Sequence, residues 1–442
     1  MTTATIRGPA QHHGGPLRVP GDKSVSHRAL LLAALADGES VITNLAPGGD
    51  VRSTANCLRQ LGVRIDVDGS TARVHGVGLH GLKKPAAPLD CGNSGSSMRM
   101  LSGVLAGAGI DATLVGDESL SKRPMKRVAE PLGAMGAKVG TTEGHSPLTV
   151  SGRATSTLRW QSIPPSAQVK TAVLLAGLFT EGETRVDELF LTRDHTERLL
   201  GAFGAEVRHV YEAPLHSAMV RGPAKLRASN LEVPGDLSSA AFLLAAGAVC
   251  RGPGVSVQGV GVNPTRTGFL DALALLDIHA AVSERVDTAG EPTATLTVKP
   301  PWRMVGARLD EDLVGRAIDE VPLLAVLCAL STGESEIRGA AELRVKESDR
   351  LAATAKGLAA MGAHVRELED GLVIGRRDQP SKLHGATIDS HGDHRIAMAF
   401  AIAALAAEGE TTITGAEWVD ISFPGFWSTL RELTLGAVRV SE

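Results

Sequence analysis

Aromatic side chains are scarce in this chain: they make up 3% of its 442 residues, and Tyr211 is the only tyrosine. A protein that grips nucleic acid by base stacking needs several such rings, so that class is disfavoured. Nor is there a surplus of positive charge. Lys and Arg number 45 against 49 Asp and Glu, a formal charge of −4, so any anion site must be a local cluster. The cysteines are few. Cys57, Cys91, Cys250 and Cys328 are scattered without a Cys-x-x-Cys pair, which fits neither a zinc site nor a disulfide framework. Cys250 and Cys328 stand in apolar runs and are expected in the core. The longest apolar stretches, such as residues 396–407, are too short to span a bilayer, and the N-terminus lacks a basic-then-apolar leader pattern. A reducing, cytoplasmic setting is the expectation.

What is abundant is Ala, Leu, Val and Ile, within a hydrophobic content of 43%, together with 50 glycines. That mixture favours closely packed, turn-rich α/β structure over a sandwich with an aromatic core. The length suggests two domains. One tetrapeptide occurs twice. Val19-Pro20-Gly21-Asp22 runs into Lys23-Ser24-Val25-Ser26-His27-Arg28, and Val233-Pro234-Gly235-Asp236 runs into Leu237-Ser238-Ser239 without the basic pair. Pro-Gly marks a turn and Asp a helix N-cap, where free N–H groups attract anions. Lys23, Ser24 and Arg28 at such a start predict a phosphate or carboxylate site; the copy at Ser238 is expected only to cap.

A longer phrase recurs six times, at spacings of roughly 70–85 residues, too long for a solenoid repeat. A polar loop precedes an Ala/Leu-rich helix, then a Gly and an alternating β-like segment. The copies open at Ser26, Ser94, Ser166, Ser238, Asp319 and Asp393. Each is followed by a second helix ending in a shared motif: Leu61-Gly62, Met135-Gly136, Phe203-Gly204, Leu276-Asp277, Met361-Gly362 and Leu435-Gly436. Glycine suits a helix C-terminus, and Asp277 is the exception. Six such segments predict six βαβαββ-like units, three per domain. The repeated tetrapeptide suggests boundaries: residues 1–19 plus 233–442 form one domain containing both termini, 20–232 form an inserted domain, and a hinge lies near 19–21 and 232–235.

Charged residues gather at the helix starts. The first copy offers Lys23, Ser24 and Arg28, the second Gly95 and Arg99, the third Ser166, Gln168 and Lys170, the fifth Asp319, and the sixth Asp393 and Arg395. Second helices are expected to add Arg123, Arg193 and the run Arg344-Val345-Lys346-Glu347-Ser348-Asp349-Arg350, in which Lys346 and Arg350 would share a helical face. The expected assembly holds many cations, very few carboxylates and no metal-ligand set. Its ligand would be polyanionic, bound by arginine forks, with Asp319 and Glu347 as the acid/base pair.

At this point the motifs resemble a family. Pro20-Gly-Asp-Lys-Ser-Val-Ser-His-Arg28, Arg344-Val-Lys-Glu-Ser-Asp-Arg350 and Gly392-Asp-His-Arg395, in that order, resemble the EPSP synthases of the enolpyruvyl transferase superfamily. Arg123-Pro-Met-Lys-Arg127 and Ser166-Ala-Gln-Val-Lys170 are more similar to a bacterial subclass with glyphosate-tolerant members than to the enteric and plant type. The resemblance implies two pseudo-symmetric α/β domains, each of three βαβαββ units, closing over shikimate-3-phosphate and phosphoenolpyruvate. It implies Lys23, Ser24, Arg28, Ser166, Gln168, Arg193, Asp319 and Lys346 for shikimate-3-phosphate. For phosphoenolpyruvate it implies Lys23, Gly95, Arg123, Gln168, Arg350 and Arg395. Asp319 and Glu347 are implied as the proton-transfer pair, with Lys23 beside them; no metal or cofactor is implied, and glyphosate is implied as inhibitor of a monomeric enzyme.

Two departures from the enteric pattern are Met100 in place of a proline and Ile421 in place of a lysine before Phe423-Pro424. The sister enzyme acting on a UDP-amino sugar has Asn after the first-helix lysine and a loop cysteine; here Ser24 and Glu118 stand there. RNA 3′-phosphate cyclase shares the unit fold, and the lack of stacking aromatics speaks against it.

Overall fold

The Ala/Leu-rich segments fold as six helices: Lys23–Leu35, Gly95–Ala108, Ala167–Gly177, Leu237–Val249, Val321–Leu330 and His394–Ala406. Each is apolar nearly all round, a composition that is stable only when a helix is enclosed on every side. Every residue from Val25 to Leu35 is indeed buried. The computed structural model describes residues 2–212, 215–377 and 379–441.

Four of these helices are capped as their sequences predict. Asp22, Ser94, Asp236 and Asp393 accept the backbone N–H of Val25, Ser97, Ser238 and Arg395, at 2.9, 3.1, 3.2 and 2.9 Å. Each such cap contributes about 1 kcal/mol. The fifth helix differs: a 3₁₀ turn, Ile318–Glu320, leads into it, and Pro322 sits in its first turn, where no N–H is missed.

The second shared motif also has a backbone reason. Gly62, Gly136, Gly204, Gly362 and Gly436 all adopt positive φ, from 83 to 105°. Asp277 occupies the same conformation at φ 62°. The exception in sequence is thus no exception in structure, because Asp is among the few residues that tolerate the left-handed region.

Among the described residues, six four-stranded sheets of one topology lie around the helices. The second module is the plainest: Leu89–Asp90 runs parallel to Ala112–Val115, which pairs antiparallel with His145–Ser151, itself antiparallel to Lys138–Thr142. Three modules borrow a strand from a distant part of the chain. Leu231–Glu232 completes the first, with Leu231 opposite Ile42. Gly15–Leu17 completes the fourth, with Leu17 opposite Val257. Thr3–Gly8 completes the sixth, with Ala4 between Ile413 and Val440. In the first and fourth modules the borrowed strand is the parallel edge; in the sixth it is an inner antiparallel strand, and the parallel edge is the local Thr387–Asp389.

The contacts divide the chain into two units. The terminal unit is Met1–Pro20, Gly235–Val286 and Pro292–Glu442; the inserted unit is Gly21–Pro234 with Asp287–Glu291, the tip of a hairpin. Each has its own continuous core, and Cys250 and Cys328 lie in that of the terminal unit. Packing is tight where glycine allows it. A methyl group on Gly103 would stand 2.1 Å from the Ala172 carbonyl oxygen, so the helices Gly95–Ala108 and Ala167–Gly177 touch backbone to backbone. Among the described residues no helix is long and apolar enough to cross a membrane.

Candidate active site

In the inserted unit the site residues sit at the starts of the first helices and in the loops ahead of the second ones. Lys23, just past the Asp22 cap, reaches Asp50 Oδ2 at 3.0 Å. Arg28, one turn on and 3% exposed, spends its donors on neutral oxygens. Nε donates to Thr196 Oγ1 at 2.7 Å, Nη2 to Thr171 Oγ1 at 2.9 Å, and Nη1 to the Ser24 carbonyl at 3.0 Å. Burial lowers its pKa to about 10, with Glu197 opposing the shift and Arg193 reinforcing it. A bound anion would reverse that penalty. Arg193, in the loop before the helix His195–Ala202, donates to Ser24 Oγ at 3.2 Å.

The neighbouring modules extend the cluster. Arg123 lies in the turn between the helices Glu118–Ser121 and Lys126–Ala134 and donates to Asn93 Oδ1 at 2.6 Å. Gln168 donates to Ser96 Oγ at 2.8 Å and accepts from Arg99 Nη1 at 2.5 Å. Ser166 precedes its helix without a side-chain cap bond. Gly95 opens the helix Gly95–Ala108, and a methyl group there would stand 2.9 Å from Arg99 Nη1 and 3.6 Å from Arg123 Nη1.

Two residues of the motifs turn out to be internal. Lys170 is buried between Glu188 Oε2 and Glu197 Oε1, each at 2.9 Å. Burial alone would depress its pKa; the two carboxylates outweigh that and raise it, so Lys170 is a fixed structural cation. His27 is fully buried, with Nδ1 2.7 Å from Thr54 Oγ1, and desolvation lowers its pKa to about 3. The motif's histidine is therefore neutral.

The terminal unit's cluster is built on a different plan. Arg350, 2% exposed, is gripped by three carboxylates. Nε donates to Asp393 Oδ2 at 2.8 Å, Nη2 to Glu347 Oε2 at 2.7 Å, and Nη1 to Asp319 Oδ1 at 3.3 Å. Burial lowers its pKa, but Asp393, Glu347 and Asp319 together raise it. Arg395 lies 3.7 Å from Glu320 and 4.0 Å from Asp319. Lys346 stands off from this group and pairs with Glu342 at 3.4 Å.

These facts correct two expectations. Carboxylates are not rare: Asp319, Glu320, Glu347 and Asp393 surround the two arginines. Nor do Lys346 and Arg350 share a helical face. The 3₁₀ turn Ala341–Val345 ends before Lys346, and the next helix, Arg350–Ala360, starts only after its Asp349 cap. Sequence reasoning also passed over Asp50, Thr171, Thr196 and the grip of Asp393 on Arg350. Asp393 was legible as a cap; its second role depends on a residue 43 positions away.

The site residues thus form two clusters. Lys23, Ser24, Arg28, Gly95, Arg123, Ser166, Gln168 and Arg193 belong to the inserted unit, and Asp319, Lys346, Glu347, Arg350 and Arg395 to the terminal unit. Among the described residues no group of three His, Cys, Asp or Glu is placed to hold a metal ion.

Comparison with known proteins supplies the family. A 3-phosphoshikimate 1-carboxyvinyltransferase from Gloeobacter violaceus is 50% identical over 96% of this chain and 97% of its own length. The solved EPSP synthase of Acinetobacter baumannii superposes with a TM-score of 0.89 at 41% identity, covering all of both chains. The enolpyruvyl transferase NikO from Streptomyces tendae, at 20% identity and a TM-score of 0.78 over 100% of this chain and 98% of its own, shares the fold. Residues 8–430 match the model of EPSP synthase (3-phosphoshikimate 1-carboxyvinyltransferase), and the chain belongs to that family.

Proposed function

We propose that the chain carries out the reaction for which its family is named. It transfers the enolpyruvyl group of phosphoenolpyruvate to the 5-hydroxyl of shikimate-3-phosphate, giving 5-enolpyruvylshikimate-3-phosphate and phosphate. The 5-hydroxyl oxygen attacks C2 of phosphoenolpyruvate while C3 gains a proton. The tetrahedral intermediate then loses phosphate together with a C3 proton. Asp319 takes the hydroxyl proton, and Glu347 gives and later removes the proton at C3. What supports this division most is that one buried guanidinium, Arg350, holds both carboxylates at 3.3 and 2.7 Å, which fixes their mutual position.

The binding groups divide by chemistry. Arg28, Arg193, Ser24 and Ser166, with Gln168, Lys23, Lys346 and Asp319, take shikimate-3-phosphate. Arg123, Gly95, Arg350 and Arg395, with Lys23 and Gln168, take phosphoenolpyruvate, and Lys23 stabilises the departing phosphate. The enzyme acts as a cytoplasmic monomer of aromatic amino acid biosynthesis, on small molecules, with no metal, cofactor, nucleic acid or membrane. The chain crossings near 19–21 and 232–235 serve as a hinge. Solution scattering with and without shikimate-3-phosphate tests it, since an unchanged radius of gyration at saturation rules the hinge out.

Phosphate release with both substrates, each omitted in turn, tests the reaction; release from phosphoenolpyruvate alone at the full rate would refute it. Glyphosate competes for the phosphoenolpyruvate groups, and with Met100 and Ile421 the chain is partially tolerant of it. Gly95→Ala raises tolerance further, with a smaller penalty in KM for phosphoenolpyruvate. Equal inhibition constants for the two proteins would refute that.

A further inference from the structure

Two residues proposed for phosphoenolpyruvate, Gln168 and Gly95, and the carbonyl next to a third, Arg123, meet on one side chain that the reaction scheme leaves unused. Arg99 lies one turn into the helix Gly95–Ala108 and is 4% exposed. Its Nη1 donates to Gln168 Oε1 at 2.5 Å and its Nη2 to the Pro124 carbonyl at 3.0 Å. The position a methyl group would take on Gly95 is 2.9 Å from Nη1.

We propose that Arg99 is a positioning residue for the phosphoenolpyruvate groups, acting through the Gln168 amide and the Pro124 carbonyl. This rests on the reaction and the binding groups assigned above. A carboxamide is nearly symmetrical in shape, and a half-turn exchanges its oxygen for its NH₂. A guanidinium only donates, so opposite Arg99 the amide must present its oxygen. The NH₂ is then turned away, toward Ser96 Oγ at 2.8 Å. Arg99 thereby decides that Gln168 offers donors to its other neighbours, which is what an anionic ligand requires. The reversed amide would offer a carbonyl oxygen and repel the same anion. The second arm works on Arg123. Pro124 has no N–H, so its carbonyl is the one polar handle on that residue's backbone, and holding it fixes the peptide next to Arg123, whose own Nη2 is aimed at Asn93 Oδ1. A lysine at 99 can reach one of these oxygens but cannot fork to both.

The test is a double-mutant cycle in the full-length chain, Arg99→Met and Gln168→Ala singly and together, read by steady-state phosphate release. Arg99→Met raises KM for phosphoenolpyruvate on the order of tenfold, the usual size for a hydrogen bond to a charged group. kcat falls less, and KM for shikimate-3-phosphate, to which Gln168 is also assigned, rises by a smaller factor. Arg99→Lys gives an intermediate value and runs the same cycle if the Met variant does not fold. In the Gln168→Ala background most of the loss disappears, because the path through the amide is already gone. Equal losses in both backgrounds, or a lower melting temperature with unchanged KM, overturn the positioning role. An unsubstituted chain that releases no phosphate from the two substrates overturns the reaction itself, and the role with it.

Discussion

Arg28 in the inserted unit donates to neutral oxygens, whereas Lys23 and Lys170 of the same unit, like Arg350 of the terminal unit, are held by carboxylates. Arg28 donates to two threonine hydroxyls and a carbonyl, Arg193 to a serine, Arg123 to an asparagine, and Arg99 to a glutamine and a carbonyl. Arg350, as buried as Arg28, touches Asp319, Glu347 and Asp393. Hydroxyls and amides satisfy the geometry of a guanidinium without cancelling its charge, so the field remains for an incoming anion. Carboxylates cancel the charge and are themselves held in place, an arrangement suited to proton transfer. The same contrast runs through the repeated turn. Where the first module has Lys23 and Arg28, the fourth has Leu237 and Phe242, and its Ser238 hydroxyl is taken by Glu320 and Arg266 of its own unit. An internal carboxylate and arginine hold that serine, whereas Ser24 of the first module accepts from Arg193.

If the terminal cluster's carboxylates move protons while its arginines share phosphoenolpyruvate with the inserted unit's cations, carboxylate and cation variants should fail differently. Glu347→Gln keeps an acceptor for Arg350, yet it should lower kcat by about 10²–10⁴-fold with little change in either KM. Arg123→Ala should mostly raise KM for phosphoenolpyruvate. Steady-state kinetics on both variants separate these outcomes, and a near-normal kcat for Glu347→Gln would break the comparison.

Stability should divide the two arginines next. Arg350→Met removes the cation shared by three clustered carboxylates and should cost about 3–5 kcal/mol in urea unfolding at neutral pH. Arg28→Met removes a desolvated cation whose neighbours can bond one another, Thr171 to Thr196 at 2.6 Å. Its cost should be about 1 kcal/mol or less, with a large rise in KM for shikimate-3-phosphate. Comparable melting losses for both would erase the distinction.

His27 sharpens the picture for the inserted unit, since Ala241 occupies its place in the fourth module. Its pKa is about 3 when folded and near 6.5 when unfolded, so the unfolded chain binds the proton first. The stability this residue confers is complete above pH 6.5 and drains away as pH falls toward 3. The span is a few kcal/mol at most. Unfolding of His27→Gln against pH should show a flatter slope over that window, and an identical slope would remove the assignment.

The smallest effect belongs to the terminal unit's one departure from its helix-ending glycines. Asp277→Gly should leave stability unchanged or raise it, by less than about 1 kcal/mol, because glycine adopts the left-handed region without strain. A clear loss on calorimetry would mean that the Asp277 side chain contributes something its backbone conformation does not require.

Much of the fold was legible because it is local and repeated. An apolar helix, capped by Asp or Ser in four of its six copies, and a second helix with a left-handed stop are each specified within some twenty residues, and the copies corroborate one another. Motifs such as Pro-Gly-Asp-Lys-Ser and Gly-Asp-His-Arg pointed to the site for the same reason: a helix start is a local object. The features not legible in the sequence are all non-local. That His27 is neutral depends on complete burial, and that Lys170 is structural depends on Glu188 and Glu197. Lys346 and Arg350 looked like partners because their spacing matches a helix, and the chain breaks the helix between them with an Asp349 cap.

By itself, then, the sequence determined the module, its caps and stops, and the identity of the charged groups, because hydrogen bonding and periodicity within a short segment leave few alternatives. Only the tertiary structure decided what each charge faces. Whether an arginine meets a hydroxyl, as Arg28 does, or three carboxylates, as Arg350 does, depends on which distant segments the sheets bring alongside it. The electrostatic character of a group is set by those neighbours and by the water they exclude.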